Sequence, residues 1–351
     1  MSLASLHLTN VRNLADVRLE SAEGMNWLHG ENGAGKTSVL EGLHMLARGR
    51  SFRSGSVGAM IRDGQDTLRV VAERRAPELL MGVERTRSGW RGRIDGTDCG
   101  RVSEFAHRLP MVVVEPGSHQ LVAGGPDVRR HFLDWALFHV EHDYLERWRR
   151  YARLLRQRNA ALKQGANDSV LDALEPAMAE AADWLDRARD GYVRRLAAAA
   201  SAVQDATSLR LTELEFRYRP ATGDADGHAD ALRFVRARDR EQGFTSVGPH
   251  RADLVIRSGG RLAAPRLSRG QEKLAAYLLK LAELVTLPAQ PYRPILLLDD
   301  PVSELDTDHL ERVLQWLRDR PEQVWITAVE PPPDPCAALF HVEQGGIRRV
   351  V

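Results

Sequence analysis

The stretch Gly30-Glu31-Asn32-Gly33-Ala34-Gly35-Lys36-Thr37 constrains this chain more than any other, because it satisfies G-x-x-x-x-G-K-[ST] at every fixed position. A loop that wraps a triphosphate must bring backbone N–H groups to the phosphate oxygens, so side chains obstruct and glycine is favoured. Lys36 would set a compact charge near the β- and γ-phosphates, and Thr37 would offer a hydroxyl to Mg²⁺. Met25-Asn26-Trp27-Leu28-His29 reads as a short strand entering the loop. Ser38 to Ala47 carries Val39, Leu40, Leu43, Leu46 and Ala47 at helical spacing. The loop therefore opens a helix whose N-terminal dipole faces the phosphates, and the stretch reads as a nucleotide site.

The lysine is informative because lysine is scarce. Lys36, Lys163, Lys273 and Lys280 are the only ones, against abundant arginine. The broad guanidinium fork would not replace a point charge inside a tight nest. With 351 residues, 43% of them hydrophobic and 28% charged, the chain can bury a large core and suggests two or three domains. A net charge of +1 gives no global argument for nucleic acid, so any basic surface must be local. Cys99 and Cys336 lie far apart with no metal spacing around them. No signal-peptide pattern opens the sequence, and no apolar run approaches the roughly 20 residues of a membrane span. The expectation is a cytoplasmic protein with no membrane partner.

Residues 1–29 read as strands. A β-rich segment follows the first helix, with strands near Thr67–Glu73, Leu79–Arg85 and Trp90–Ile94, and Met111–Val114 reads as a buried strand. Asp127 to about Gln164 reads as one long helix, and Ser169 to about Ala206 as a second that Gly191 interrupts. The two predict an antiparallel hairpin. After a strand at Leu209–Tyr218, a loop at Gly223–Asp230 and a helix at Ala231–Arg240, strand and helix alternate. Leu254–Arg257, Gln271–Thr286, Ile295–Leu298, His309–Arg318 and Val324–Ala328 predict a parallel sheet covered by helices. The fold class is α/β, with expected segments at 1–125, 126–208 and 209–351, the middle one a helical insertion.

Ile295-Leu296-Leu297-Leu298-Asp299-Asp300 is an apolar strand ending in two carboxylates. A core strand before an acidic turn would look the same alone. Beside a phosphate loop it reads as the means of holding Mg²⁺, with Asp299 and Thr37 on the metal and Asp300 polarising the attacking water. Leu267-Ser268-Arg269-Gly270-Gln271-Glu272 precedes an amphipathic helix, and Ser268 is a natural N-cap that presents free N–H groups to an anion. A phosphate loop plus a separate phosphate-sensing cap suggests ATP sandwiched between two protomers.

The order Gly30–Thr37, Leu267–Gln271, Ile295–Asp300 and Ser303-Glu304-Leu305-Asp306 resembles the ABC-type ATPases of the SMC/Rad50 group. Within that group the whole chain resembles the RecF family of bacterial recombination mediators. Asn10-Val11-Arg12-Asn13, Arg129-Arg130 with Phe132-Leu133-Asp134, and Gly248-Pro249-His250-Arg251 with Asp253-Leu254 carry this narrower likeness. The resemblance implies that Gly30 to Thr37 hold ATP, that Lys36, Asp299 and Asp300 serve hydrolysis, and that Ser268, Gly270 and Gln271 contact the γ-phosphate bound to a second protomer. It implies an ATP-dependent homodimer that binds duplex, single-stranded or gapped DNA and works with other recombination mediators in repair, replication restart and the SOS response. Val11 stands where the family often has Phe, and Ser38 where Asn is common. Glu115-Pro116-Gly117-Ser118-His119-Gln120 replaces a more usual acidic run, leaving His119 or Gln120 as the ligand there. Thr327 falls near the switch-histidine position. With Asp300 rather than Glu, turnover is expected to be slow and DNA-stimulated, below about 1 s⁻¹ without DNA.

Arg129, Arg130, Arg147, Arg149, Arg150, Arg153, Arg156 and Arg158 crowd the helical insertion and offer phosphate contacts, although an ordinary solvated helix face would also account for them. His250 and Arg251 fit either ligand contact or a turn, and Trp135, Trp148 and Trp184 read as core. Two rival readings are a nucleotide-gated scaffold acting through protein partners and the ATPase subunit of a transporter.

Overall fold

The computed structural model describes residues 2–53, 56–209, 211, 213–223, 225–289 and 291–351. The chain opens with β1 (Leu3–Val11), β2 (Leu14–Glu20) and β3 (Met25–His29), followed by α1 (Lys36–Arg48). In β1 and β2, Leu6, Leu8, Leu14, Val17 and Leu19 are buried, the alternation of a sheet with one covered face. Helix α1 is buried at every residue from Ser38 to Ala47, so it is covered on all sides. Gly42 lets it lie against β1, since a Cβ there would stand 2.4 Å from Leu8 Cδ2. Then come β4 (Thr67–Arg75), β5 (Glu78–Thr86), β6 (Trp90–Ile94), β7 (Thr97–Cys99), α2 (Val102–Arg108) and β8 (Met111–Val114). One antiparallel sheet has the order β2-β1-β4-β5-β6-β7.

The middle of the chain forms α3 (Gln120–Ala123), α4 (Pro126–Val140), α5 (Tyr144–Lys163), α6 (Asp168–Thr207), β9 (Leu214–Arg219), α7 (His228–Gln242), β10 (Asp253–Ser258), β11 (Arg261–Leu262) and α8 (Arg269–Thr286). The single helix expected over 127–164 is two helices. No glycine or proline marks the break, so the apolar period runs through it. What fixes it is tertiary: Tyr144 is buried and its hydroxyl donates to Asp134 at 2.6 Å, with Arg189 Nη2 on the same oxygen at 2.7 Å. Gly191 does not interrupt α6, because an interior glycine costs only about 1 kcal/mol and its neighbours Tyr192 and Val193 are buried. The hairpin is formed by α5 and α6. Contacts run Arg147 over Trp184, Arg150 to Glu180 and Arg158 to Glu175, falling along α6 as they rise along α5. Strand β10 pairs antiparallel with β9 and β11 and takes no part in a parallel sheet. Strand–helix alternation does not specify direction, and here α7 returns the chain beside β9 in the opposite sense.

The last part supplies β12 (Ile295–Asp299), α9 (Pro301–Glu304), α10 (Thr307–Arg318), β13 (Gln323–Ala328), β14 (Ala338–Glu343) and β15 (Gly346–Arg349). A second sheet has the order β15-β14-β3-β13-β12-β8, parallel from β14 to β8, with β15 antiparallel at its edge. Every residue of β12 and β13 is buried, as a sheet covered on both faces requires. The chain divides into two compact units, one of 1–118, 204–209 and 287–351, the other of 119–203 and 210–286. These do not follow the expected boundaries at 125 and 208. Residues 210–286 belong with the helices because buried pairs such as Arg129 to Asp253 and Arg158 to Asp239 tie them there.

Candidate nucleotide-binding site

The site in the first unit grows from the carboxy-terminal ends of parallel strands, where open α/β sheets gather their ligands. Strand β3 ends at His29 and the loop turns at once into α1. Gly30, Gly33 and Gly35 have φ of 148°, 81° and 119°, values that side-chain-bearing residues rarely adopt. A Cβ on Gly30 would stand 2.1 Å from Val342 O, and one on Gly35 2.9 Å from Leu14 Cδ2. Lys36 curls back over the loop, its Nζ donating to Gly30 O at 2.6 Å and Glu31 O at 2.8 Å. Burial holds its pKa below the ordinary lysine value, opposed by the Asp300 and Asp299 carboxylates. A cavity of 330 Å³ flanks the loop, lined by Glu31, Asn32, Gly33 and Ala34 on one side and His341, Val342, Glu343 and Gln344 on the other.

Parallel register sets Asp299 on β12 beside Thr327 on β13. Asp299 Oδ1 accepts from Thr37 Oγ1 at 2.7 Å and from Thr327 Oγ1 at 2.9 Å. Burial pushes this carboxyl above the usual carboxylate range, and the Asp300 charge acts the same way. The two hydroxyls and Arg53 pull against them. Asp300 sits in the left-handed region at φ 50°, its N–H donating to Thr327 Oγ1 at 2.9 Å, and Pro301 starts α9 directly behind it. Hard oxygen donors from Thr37 and Asp299 suit a divalent cation such as Mg²⁺, and the glycine cradle suits a triphosphate, so the residues present fit both groups.

Three supports were not assigned by the sequence reading. Asn13, in the turn between β1 and β2, donates to Ala34 O at 3.0 Å and accepts from Ser38 Oγ at 3.0 Å. Gly345, in the β14–β15 turn, donates its N–H to Ala34 O at 2.9 Å. Arg12 forks onto Glu41 of α1 at 3.0 and 2.7 Å. The Asn-Val-Arg-Asn turn and the Gly345-Gly346 pair were the available signals, but contact with the loop is a tertiary fact. His29 lies 4.9 Å, ring to ring, from His341, and its pKa is lowered chiefly by burial and also by His341, Arg348 and Lys36.

In the second unit Ser268 and Gln271 form a reciprocal cap on α8. Ser268 N–H donates to Gln271 Oε1 at 2.9 Å and Gln271 N–H to Ser268 Oγ at 3.3 Å. Gly270 is exposed beside them with open space where a Cβ would stand. His119 and Gln120 touch each other, Nε2 to Nε2, at 3.0 Å. His250 is a bridge inside the unit: Nδ1 lies 2.7 Å from Tyr151 Oη and Nε2 3.1 Å from Thr245 O. Burial brings its pKa down to about 4, so it is a neutral acceptor and donor. Arg251 is exposed and lies over the Phe244 ring at 5.4 Å.

The eight arginines separate into two classes. Arg129 forks onto Asp253 at 2.7 and 3.1 Å, Arg130 donates to Ala252 O, and Arg158 is fully buried between Glu175 and Asp239. Arg129 and Arg130 tie the Arg-Arg-x-Phe-Leu-Asp stretch to Ala252 and Asp253, which follow Gly-Pro-His-Arg. Arg147 and Arg150 face α6. Arg149, Arg153 and Arg156 share one exposed face of α5 with no acidic partner among the described residues. Trp148 beside them is 40% exposed rather than core, and Trp135 and Trp184 are only half-buried. Trp184 is covered by Arg147, whose guanidinium lies 4.6 Å from the ring centroid.

The family model described as RecF/RecN/SMC N terminal domain matches residues 2–333. The DNA replication and repair protein RecF of Xanthomonas euvesicatoria pv. vesicatoria (strain 85-10) is 43% identical over 363 residues, covering 99% of both chains. The RecF of Stenotrophomonas maltophilia (strain R551-3) is 41% identical over 367 residues, again covering 99% of both. The solved structure of the recombination mediator protein RecF with ATP in the RecFOR pathway superposes with a TM-score of 0.88 at 25% identity, covering 99% of this chain and 97% of that one. An Smc head bound to the C-winged helix domain of ScpA, 14% identical with a TM-score of 0.58, shares the fold.

Proposed function

The chain belongs to the RecF family, within the RecF/RecN/SMC N-terminal domain proteins, and from that premise we propose an ATP-switched, DNA-binding ATPase of recombinational repair. The observation that carries the reading is the meeting of Thr37, Asp299 and Thr327 around one carboxylate oxygen beside a glycine cradle that admits no side chain at Gly30. Loop N–H groups and Lys36 bind and orient the phosphates, Thr37 and Asp299 hold Mg²⁺, and Asp300 orients the attacking water. Bound Mg²⁺ supplies neutralisation of the charge that develops on the phosphates. Ser268, Gly270 and Gln271 of a second protomer complete the site, so the two surfaces meet only while a γ-phosphate is present. The unit of 1–118, 204–209 and 287–351 then binds the nucleotide, and the unit of 119–203 and 210–286 supplies the Ser268 cap to a second protomer and the DNA contact.

DNA contact is assigned to the exposed face carrying Arg149, Arg153 and Arg156, whose charges are not spent on acidic neighbours among the described residues. Loading of recombinase at gapped or single-stranded DNA, in repair, replication restart and SOS induction, follows from the family reading, with other mediator proteins as partners in the cytoplasm. No helix among the described residues is long and apolar enough to cross a membrane. The test is fluorescence anisotropy of labelled duplex, gapped and single-stranded DNA with ATP or ADP across a salt series. The expected result is tighter binding with ATP and a steep salt slope. Equal absence of binding in both nucleotides would overturn the DNA reading and move the function to a protein partner.

A further inference from the structure

We propose that Thr327 is a positioning residue that couples the two acids of the site, an inference that rests on the ATPase reading above. Its hydroxyl is only 1% exposed with its residue and is fully committed. It donates to Asp299 Oδ1 at 2.9 Å and accepts the Asp300 N–H at 2.9 Å. One side chain therefore holds a carboxylate on one acid and the backbone of the next. With Thr37 on the same Oδ1 at 2.7 Å, that oxygen has two hydroxyl donors, and Oδ2 has no hydrogen-bond partner among the described residues. The pair of donors fixes which oxygen is occupied and which is left to serve the site.

The Asp300 bond does the second half of the work. A non-glycine residue at φ 50° and ψ 56° is held against its own preference, and here one hold, the Thr327 hydroxyl, comes from outside the helix it caps. On its far side Asp300 O receives the Ser303 N–H at 3.1 Å, so the residue is tied at both ends. Parallel pairing of Asp299 with Thr327 makes this geometry possible at the last residue of β12, where the strand stops and Pro301 follows. A buried threonine that merely satisfied itself would need one partner. This one bridges the metal-side acid to the water-side acid, using the capacity of a hydroxyl to donate and accept at once.

The substitutions that separate positioning from packing are Thr327→Val, which keeps the shape and removes the hydroxyl, and Thr327→Ser, which keeps the hydroxyl and removes the methyl. Loss of an outer partner of a metal ligand weakens metal affinity or activity by about 10- to 100-fold. Thr327→Val is expected to lower kcat for ATP by that factor with KM for ATP changed less than about threefold. Thr327→Ser is expected to stay within about threefold of wild type in both. A second readout, independent of turnover, is the affinity of the nucleotide complex for Mn²⁺ measured by electron paramagnetic resonance. It should weaken in Thr327→Val and recover in Thr327→Ser. Binding of a fluorescent ATP analogue shows that each variant is folded. Wild-type kcat and Mn²⁺ affinity in Thr327→Val would overturn the proposal, as would equal damage in both variants. If wild type hydrolyses ATP no faster than Lys36→Met, the ATPase reading fails, and the Mn²⁺ comparison still decides the role of Thr327.

Discussion

Two perturbations of arginine on the same helix are expected to fail in opposite ways. The first is R149Q/R153Q/R156Q, which removes three exposed charges that no described acid engages. Surface substitutions of this kind leave stability within about 0.5 kcal/mol. If each arginine neutralises one duplex phosphate, the slope of log K against log salt falls by about 2.7, close to a hundredfold loss of affinity at 0.15 M salt. The second is R158M. Arg158 is fully buried, with Nη1 2.6 Å from Asp239, Nε 3.0 Å from Glu175 and Nη1 2.9 Å from Thr245 Oγ1. Glu175 keeps Arg236 at 2.6 Å, but Asp239, itself fully buried, keeps only Ser246 among the described residues. An uncompensated buried charge of this kind costs about 3–5 kcal/mol. Urea unfolding followed by tryptophan fluorescence reads the stability, and anisotropy at four salt concentrations reads the slope. The reasoning is refuted if the triple variant keeps the wild-type slope, or if R158M weakens DNA binding while its unfolding midpoint stays put.

Further outcomes follow from single sites. G30A forces a Cβ to within 2.1 Å of Val342 O, whereas G33A meets nothing within 4 Å, so both pay the left-handed backbone cost of about 1–2 kcal/mol but only G30A must also displace the loop. Binding of a fluorescent ATP analogue should be lost in G30A and retained in G33A. His250 is held neutral down to about 4 in the folded protein and titrates at 6.5 when unfolded, so the folded state binds fewer protons between these values. Its contribution is intact above that window and is lost as pH falls through it, amounting to about 2 kcal/mol between pH 7 and pH 5. Wild type should lose that much more stability than H250Q over the interval, as read from urea midpoints. Asp253→Asn leaves Arg129 facing a neutral partner in a nearly dry site and should destabilise the protein by about 3 kcal/mol in the same assay.

The glycine loop at 30–37 was legible because its demands are local. Positive φ at Gly30, Gly33 and Gly35 and a lysine after them can be met by few sequences. The strand before it, the acids after Leu298 and the Ser268–Gln271 cap were legible for the same reason. What escaped depends on partners distant in sequence. The stop at Val140 is set by Tyr144, Asp134 and Arg189, and the direction of β10 by its pairing with β9. Arg158 and Arg156 are the same residue type two positions apart, yet one is entombed with two carboxylates and the other is exposed. Helical spacing puts them on opposite faces, with Arg158 seven residues after the buried Tyr151, but it does not reveal that Glu175 and Asp239 are there to pair a buried charge. Asn13 and Gly345 likewise became supports of the loop only once β1, β2, β14 and β15 were assembled.

The measurement that bears most directly on an ATP-gated site shared by two protomers is sedimentation velocity of wild type, K36M and D300N, each with Mg²⁺ and either ATP or ADP. Wild type is predicted to dimerise with ATP and to return to monomer as ATP is consumed. K36M should stay monomeric in both nucleotides, and D300N should form a dimer with ATP that persists. A D300N protein that binds ATP yet sediments as a monomer would contradict the account.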